Sequence, residues 1–138
     1  MSEAMIDMRD FVEQVARAVR RHSLGLPGAY RRWTRQNAKG DHDLRLNPYG
    51  CADAANLLYT IGQFPQVMPE RQGFIDVLCG LQDPASGLYF EPTHHEYHCT
   101  AHCIAALELF DQRPRHRLSA LEPLLSREGL EAFLDGLD

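Results

Sequence analysis

The sequence predicts an all-α fold of stacked antiparallel helical hairpins, and three observations support this. Apolar residues recur at spacings of three and four in several segments, as on one face of an α-helix. No segment alternates apolar and polar residues over a strand length, so we expect no sheet. Pairs of helical segments also repeat one another along the chain. With 138 residues, of which 44% are hydrophobic, the chain is expected to form a single core.

Five helices are expected in chain order. The first covers residues 6–21, where Met8, Phe11, Val15 and Val19 share one face, and the segment SLGLPG ends it. A polar loop follows as far as residues 48–50. The later helices are expected at residues 52–62, 69–81, 98–110 and 119–137, the last of them broken near Ser126.

The helical periodicity also predicts which side chains form the core between the layers. The expected core residues are Leu57, Leu58, Ile61, Phe74, Val77, Leu78, Leu81, Ile104, Leu107, Leu109 and Phe110.

An internal repeat relates two pairs of the expected helices. An offset of 49 places residues 52–65 on residues 101–114, which matches Ala52 with Ala101 and puts Asp53 at the position of His102. After a seven-residue insertion, residues 71–82 align with residues 127–138. Each repeat is a helical hairpin, which cannot cover its own apolar face without neighbours on either side.

One stretch resembles a known repeat motif. The segment GFIDVLCGLQDPASGLY contains Gly73, Leu78, Gln82, Gly87 and Tyr89. It resembles the glutamine-to-tryptophan motif of squalene-hopene cyclases and the related repeats of protein prenyltransferase β subunits. The motif glutamine and glycine are expected to hold the turn at residues 83–89, with the aromatic ring packed under it. The following TAHCIAALELF resembles the inner helix that comes next in those repeats. The resemblance covers residues 49–138 and implies an (α/α) toroid, two concentric rings of helices around a central cavity.

The resemblance does not extend to the chemistry of those families. Tyr89 stands where the cyclase motif has tryptophan. Neither the aspartate-rich acid motif of the cyclases nor the Asp-x-Cys zinc segment of the prenyltransferases is present. Fold alone does not imply function, so only the architecture is expected to carry over.

The expected organisation is one incomplete α/α-repeat domain over residues 1–138. Residues 1–48 form an N-terminal helix and a basic loop, and residues 49–138 form the two related hairpins. A toroid needs about twice as many helices, and Asp138 aligns with Gln82, where the next loop motif would begin. We therefore expect the remainder of the toroid to come from the same protein or from another subunit.

The charge is unevenly distributed. Residues 14–40 contain seven basic and no acidic side chains, while residues 41–138 contain six basic and fifteen acidic ones. With Tyr30 and Trp33 among the arginines, residues 28–40 could contact a phosphate or an acidic partner surface, or could be a solvated helix end and loop. The acidic remainder argues against nucleic-acid binding.

The cysteine content and the hydropathy of the sequence indicate in which cellular compartment the protein is expected. The four cysteines, Cys51, Cys79, Cys99 and Cys103, lack the density of a secreted disulfide scaffold, so a cytoplasmic protein is expected. No apolar run approaches the length of a membrane span.

The segment THHEYHCTAHC, residues 93–103, contains the candidate site. His98 and His102 lie one helical turn apart, and the repeat brings Asp53 to the same side, so these three are the predicted catalytic residues. They are also candidate metal ligands, because two histidines at this spacing supply half of a zinc site. The residues expected to bind a small-molecule ligand are His94, His95, Asn56 and Cys99.

A structural interpretation of the same segment remains open. Thr93 or Thr100 could cap the fourth helix, Cys103 could pack as a small apolar residue, and the histidines could make buried hydrogen bonds. Asn56 and Asp53 could likewise serve the start of their helix.

Three functions follow from these features. The first is a toroid-like domain of uncharacterised activity, with a small-molecule cavity, inside a larger protein or assembly. The second is a metal- or histidine-dependent enzyme that uses His98, His102 and Asp53. The third is a protein-interaction module. The substrate and any cofactor other than a candidate zinc are left open.

Overall fold

The computed structural model describes residues 6–137 and is helical over that range. Five α-helices are formed together with one 3₁₀ helix, Ser119–Leu125, and the described residues contain no strand. The all-α prediction is therefore confirmed. No helix among these residues combines the length and the apolar character needed to cross a bilayer. The α-helices are α1 (Arg9–His22), α2 (Pro48–Thr60), α3 (Glu70–Gly80), α4 (Glu96–Glu108) and α5 (Arg127–Asp135).

The N-terminal ends of three helices differ from the prediction. Helix α1 begins at Arg9 rather than residue 6, after Asp7 accepts a hydrogen bond from the Arg9 amide at 3.1 Å. Helix α2 begins at Pro48 rather than residue 52, because Asn47 caps it by accepting from the Gly50 amide at 3.1 Å. The proline and the glycine that follow Asn47 favoured a loop over residues 48–50 in the prediction from sequence.

Helix α4 begins at Glu96 rather than residue 98, and its cap is a histidine. The His95 ring accepts from the Tyr97 amide at 3.2 Å through Nδ1. The expectation that Thr93 or Thr100 caps this helix is therefore wrong. Thr100 is buried and accepts a hydrogen bond from the Tyr89 amide at 2.9 Å. The predicted break at Ser126 is confirmed, since Ser126 caps α5.

Small side chains form the contact between α2 and α4. Cys51, Ala52, Ala55, Cys99 and Cys103 are all fully buried. Alanine and cysteine side chains are small, so the two helix backbones can approach closely. Because protein interiors are densely packed, the face with these small side chains is the one that turns towards the neighbouring helix. Leu57 lies away from this contact and is 44% exposed, so its prediction as a core residue is wrong.

The rest of the core joins α3 and α4. Phe74 stacks on Tyr30 at 5.4 Å and on Phe110 at 5.3 Å between ring centroids, and Leu78 and Leu107 have no exposed surface. Burial is confirmed for Phe74, Leu78, Leu107 and Phe110. The remaining predicted core residues are partly buried: Leu58, Ile61, Val77, Leu81, Ile104 and Leu109.

The loop after α3 is held by its glutamine, as the sequence predicts. Gln82 is buried, and its Nε2 donates to the carbonyl oxygens of Gly87 and His116, both at 2.8 Å. Its Oε1 accepts from the His116 amide at 2.7 Å. Gly87 has a φ of 77°, and a Cβ there would overlap the Arg117 backbone. The Tyr89 ring is fully buried beneath the turn.

The second helices of the two repeats, α3 and α5, are covered differently, since α3 packs against α2 whereas α5 does not pack as a hairpin against α4. Phe74 and Leu78 of α3 are 2% and 0% exposed, whereas their repeat equivalents Leu130 and Leu134 of α5 are 45% and 54% exposed. Among the described elements, α5 lies against the 3₁₀ helix, and none of its residues is buried. Apart from Phe133, which lies 5.5 Å from a tyrosine ring of α4 between centroids, the apolar face of α5 is therefore open.

The segment between α1 and α2 is anchored to both helices. The Arg31 amide donates to the His22 carbonyl oxygen at 3.0 Å, and the Asn47 amide donates to the Tyr30 carbonyl oxygen at 3.0 Å. Gly50 lets this segment lie on α2, since a Cβ there would come within 2.6 Å of the Arg31 backbone. Arg31 and its neighbour Arg32 are consequently half-buried.

Candidate functional site

Two hydrogen-bonded pairs join α2 to α4 at positions that the repeat makes equivalent. The Tyr49 hydroxyl contacts His98 Nδ1, and Asp53 Oδ1 lies 2.8 Å from His102 Nε2; each pair is separated by 49 residues. Because both partners in each pair occupy the same place in the repeat, α2 and α4 run side by side in the same direction. The predicted proximity of Asp53 and His102 is confirmed.

The Asp53–His102 contact fixes one nitrogen of the imidazole. With a carboxylate as partner, Nε2 carries a proton and donates it to Asp53, which leaves Nδ1 as the acceptor nitrogen of the neutral ring. The side chains of Asp53 and His102 are 54% and 26% exposed. The pair is therefore open to a ligand, and because it is half-exposed its ion pairing contributes little stability.

Tyr49 is the centre of an aromatic cluster with the histidines. Its ring stacks on His94 at 4.2 Å and on His102 at 4.8 Å between centroids, and it lies tilted to His98 at 5.8 Å. Tyr49 itself is 7% exposed. Burial raises the pKa of its hydroxyl, and nearby thiols and the Asp53 carboxylate add to that effect. Tyr49 therefore keeps its proton and donates it to His98, so that His98 Nε2 faces outward as the second ring nitrogen.

A buried carboxylate holds the loop that carries His94. Glu91 is 5% exposed, and its Oε2 accepts from Arg32 at 2.9 Å and from the Thr93 hydroxyl at 2.6 Å. His94 Nδ1 lies 3.1 Å from the same oxygen. Burial alone would raise the pKa of Glu91, but hydrogen bonds from Thr93 and His94 and the charge of Arg32 outweigh it and lower that pKa.

Arg32 joins the basic segment to this cluster. Its guanidinium lies 5.2 Å from the Tyr49 ring centroid and 5.0 Å from that of Trp33, within the range of a cation–π contact. Its Nη1 also donates to the Thr93 hydroxyl at 2.6 Å. Residues 28–40 were expected to form either a partner-binding surface or a solvated loop. Arg32 of this segment instead contacts the histidine cluster from within the protein.

The cysteines of the candidate segment are core residues. Cys99 and Cys103 are fully buried and unoxidised, and the Cys103 thiol also lies 3.7 Å from the Pro48 carbonyl oxygen. The hydrogen bond from Cys103 to Cys99, together with burial, raises the pKa of the Cys103 thiol. Cys99, predicted as a ligand-binding residue, offers no exposed atom to the cluster.

Of the other three predicted ligand-binding residues, one belongs to the histidine cluster and two have local structural roles. His94 belongs to the cluster, whereas His95 is used as the cap of α4. Asn56 lies within α2 and donates from Nδ2 to the Ala52 carbonyl oxygen at 2.9 Å. The structure thus brings together Asp53, His94, His98 and His102 around Tyr49.

The expected metal ligands lie close to one another but are not arranged around a common point. Within residues 6–137, no group of three or more histidine, cysteine, aspartate or glutamate side chains is arranged to hold a metal ion. Asp53 contacts His102, while His98 is bonded to Tyr49. The zinc hypothesis therefore has no ligand set among these residues, and acid–base chemistry is the part of the sequence hypothesis that the geometry fits.

Sequence reasoning missed Tyr49, Arg32 and Glu91. Tyr49 could have been found by extending the repeat alignment three positions upstream, which places it on His98. Arg32 and Glu91 lie 59 residues apart in irregular segments, and no spacing relates them. No protein-family model, curated protein or solved structure matches this chain, so the site rests on its own geometry.

Proposed function

We propose that this chain is an α/α-toroid-type domain in which the Asp53–His102 pair performs general acid–base catalysis on a small molecule. The observation that carries the proposal is the 2.8 Å contact between Asp53 Oδ1 and His102 Nε2. A histidine oriented by a carboxylate through one ring nitrogen presents the other as a base in a defined tautomer.

Each member of the cluster has a separate task in this proposal. Asp53 holds the Nε2 proton of His102 and stabilises the imidazolium that forms when Nδ1 takes a proton from substrate or water. Tyr49 stacks on His102 and limits the rotation of its ring. His98, whose Nδ1 accepts from Tyr49, offers its Nε2–H as the donor to a developing negative charge.

The toroid architecture is supported by the loop after α3 and by the parallel packing of α2 and α4. Gln82 and Gly87 hold that loop with the residues through which the sequence resembles cyclase and prenyltransferase repeats. Membership in those families remains a proposal, as does a cytoplasmic location, which the free cysteines support.

A chromogenic ester tests the acid–base role. We expect the protein to hydrolyse p-nitrophenyl acetate about tenfold or more faster than an equal concentration of free imidazole, a modest gain for positioned acid–base catalysis. His102→Gln should remove this excess and Asp53→Asn should reduce it. The matched control is His116→Gln, because the hydrogen bonds of His116 to Gln82 use only its backbone. Equal rates for the wild type and His102→Gln would refute the proposal.

A second candidate function, a protein-interaction module, is favoured by the open face of α5. We propose that a second copy of this chain covers Leu130 and Leu134 in a homodimer. Their repeat equivalents, Phe74 and Leu78, are buried by neighbouring side chains. Sedimentation velocity should detect a concentration-dependent dimer that Leu134→Glu converts to a monomer. A wild type that stays monomeric at about 100 μM, well above the Kd of a stable dimer, would contradict this.

A further inference from the structure

Helix α1 carries an apolar stripe that the rest of the described chain leaves uncovered. Phe11 is 55% exposed, and Val15 and Ala18, one and two turns further along the same face, are only partly buried. The residues of α1 that turn into the core are Ala16 and Val19. Among the described helices, α1 packs against α2 only. An open groove along Phe11, Val15 and Ala18 therefore remains on the outer side of α1.

Basic side chains border this groove. Arg17 and Arg21, one turn apart, line it beside Ala18. Helix α1 holds four basic and two acidic side chains, a net charge of +2. Arg17 pairs with Glu13 at 2.6 Å, whereas Arg21 has no ion-pair partner within residues 6–137. A partner that fits this groove combines an apolar face with acidic side chains.

Helix α5 of the same chain combines these two features. Leu130 and Leu134 are exposed one turn apart on its apolar face. Glu131 and Asp135, also one turn apart, lie beside Leu134 on the helix surface. Helix α5 holds one basic and three acidic side chains, a net charge of −2. The two helices thus carry exposed apolar stripes and opposite charges of equal size.

Helices α1 and α5 do not meet within one chain. Among the described elements, α1 packs against α2 and α5 against the 3₁₀ helix, and no contact joins α1 to α5. Pairing α5 with the α5 of another copy would cover the leucines, but it would bring two negatively charged helices together. A contact between α1 of one copy and α5 of another covers both stripes and pairs opposite charges.

We infer that α1 is the surface that receives α5 of a second copy. The inference rests on the homodimer proposed above and identifies its second surface. In a two-fold dimer each chain gives its α5 to the other, so the same junction is formed twice.

The charges also set the direction of the two helices at each junction. Helices that run in the same direction bring Asp10 near Arg127 at their N-terminal ends. At their C-terminal ends they bring Arg21 near Asp135. Opposite directions would instead place Asp10 near Asp135, two negative charges. The helices are therefore parallel at the junction.

Complementary charge reversals, followed by sedimentation velocity, test the inference. Arg21→Glu places like charges at both junctions of a dimer, and Asp135→Arg does the same, so each should raise the dimer Kd about tenfold. An equimolar mixture of the two variants should restore the wild-type affinity, because both junctions then join opposite charges again. If the mixture associates no more tightly than either variant alone, α1 does not receive α5 and the inference is overturned.

Two further variants separate packing from overall charge. Phe11→Ser should raise the dimer Kd about a hundredfold, because the ring becomes buried at two junctions. Arg20→Glu is the matched control, since Arg20 is the adjacent arginine on α1 and does not line the groove. Equal losses in Arg20→Glu and Arg21→Glu would mean that only the net charge matters, which contradicts the inference. If Phe11→Ser does not fold, the charge reversals at the exposed Arg21 decide.

The homodimer and its α1 surface are distinguishable by these measurements. A wild type that is monomeric at about 100 μM contradicts both. If Leu134→Glu dissociates the dimer while Phe11→Ser and Arg21→Glu do not, the homodimer stands and the inference fails. If a monomeric wild type binds phosphatidylserine vesicles and Phe11→Ser does not, α1 contacts a lipid surface and the inference fails. None of these substitutions alters the Asp53–His102 pair, so ester hydrolysis reports on the acid–base proposal independently.

Discussion

Removing the side chain of Gln82 should destabilise the protein more than any exposed polar substitution. Gln82→Ala deletes three hydrogen bonds of 2.7 to 2.8 Å, two to His116 and one to Gly87. Each contributes about 1 kcal/mol to the free energy of unfolding, so the sum is about 3 kcal/mol. Water can reach the half-buried His116 and replace part of the lost hydrogen bonding. The expected loss in the free energy of unfolding is therefore at least about 2 kcal/mol.

Urea unfolding followed by circular dichroism measures this loss. With a slope of about 1.5 kcal/mol per molar urea, 3 kcal/mol lowers the midpoint by about 2 M. Gln82→Met keeps most of the side-chain volume and separates the hydrogen bonds from packing. Gln66→Ala is the control, because Gln66 is exposed and makes one local bond at 3.2 Å. If Gln82→Ala and Gln66→Ala both cost less than about 0.5 kcal/mol, Gln82 does not hold the loop.

Three further changes test the core and the buried polar groups. Leu78→Ala should cost about 2 to 5 kcal/mol in urea unfolding, because Leu78 is fully buried. Tyr89→Phe should raise the free energy of unfolding by about 1 kcal/mol, since the buried Tyr89 hydroxyl has no partner among the described residues. Glu91→Gln should destabilise the protein at pH 7 by about 1 to 3 kcal/mol, because Glu91 pairs with Arg32. The folded-state pKa of Glu91 lies below its ordinary value of 4.5, so its contribution is complete above that pH and is lost as the pH falls through the lower, folded-state pKa.

Each of these changes has a control or a contrary result. Leu57→Ala, at a 44% exposed leucine, should cost far less than Leu78→Ala, and equal losses would mean that the faces of the helices are misassigned. A loss of stability in Tyr89→Phe would mean that the hydroxyl is bonded, for instance to a water molecule. For Glu91→Gln, the difference from the wild type should shrink as the pH falls from 4.5 towards the lower, folded-state pKa of Glu91. A difference that stays constant over this range would show that Glu91 is not stabilised as a carboxylate.

The repeat in the sequence predicted the central contact of the site, although it did not predict the whole cluster. The offset of 49 places Asp53 at the position of His102, and their side chains are 2.8 Å apart. The prediction succeeded because equivalent positions on two parallel helices must face the same side. The same offset did not predict that Tyr49 would be buried among the histidines, since burial depends on what the loops place over it.

The misassigned face of α2 has a physical cause. Leu57 and Leu58 dominated the apolar pattern of that helix, but helix α2 turns its alanine and cysteine face to α4. Periodicity reports which residues share a face, and it does not report how closely a neighbouring helix can approach. Small residues allow the closer approach, and dense packing then outweighs the larger leucine side chains.

The sequence by itself determined the helical class, the break at Ser126, the loop held by Gln82 and the pairing of Asp53 with His102. All of these follow from local periodicity, from capping and turn residues, or from the register of a repeat. Only the tertiary structure decided that Arg32 and Glu91 meet beside the histidines and that Leu130 and Leu134 of α5 stay exposed. Those contacts join irregular segments far apart in the chain, where no spacing rule applies, and they are settled by which groups can pair their charges and hydrogen bonds once the helices have packed.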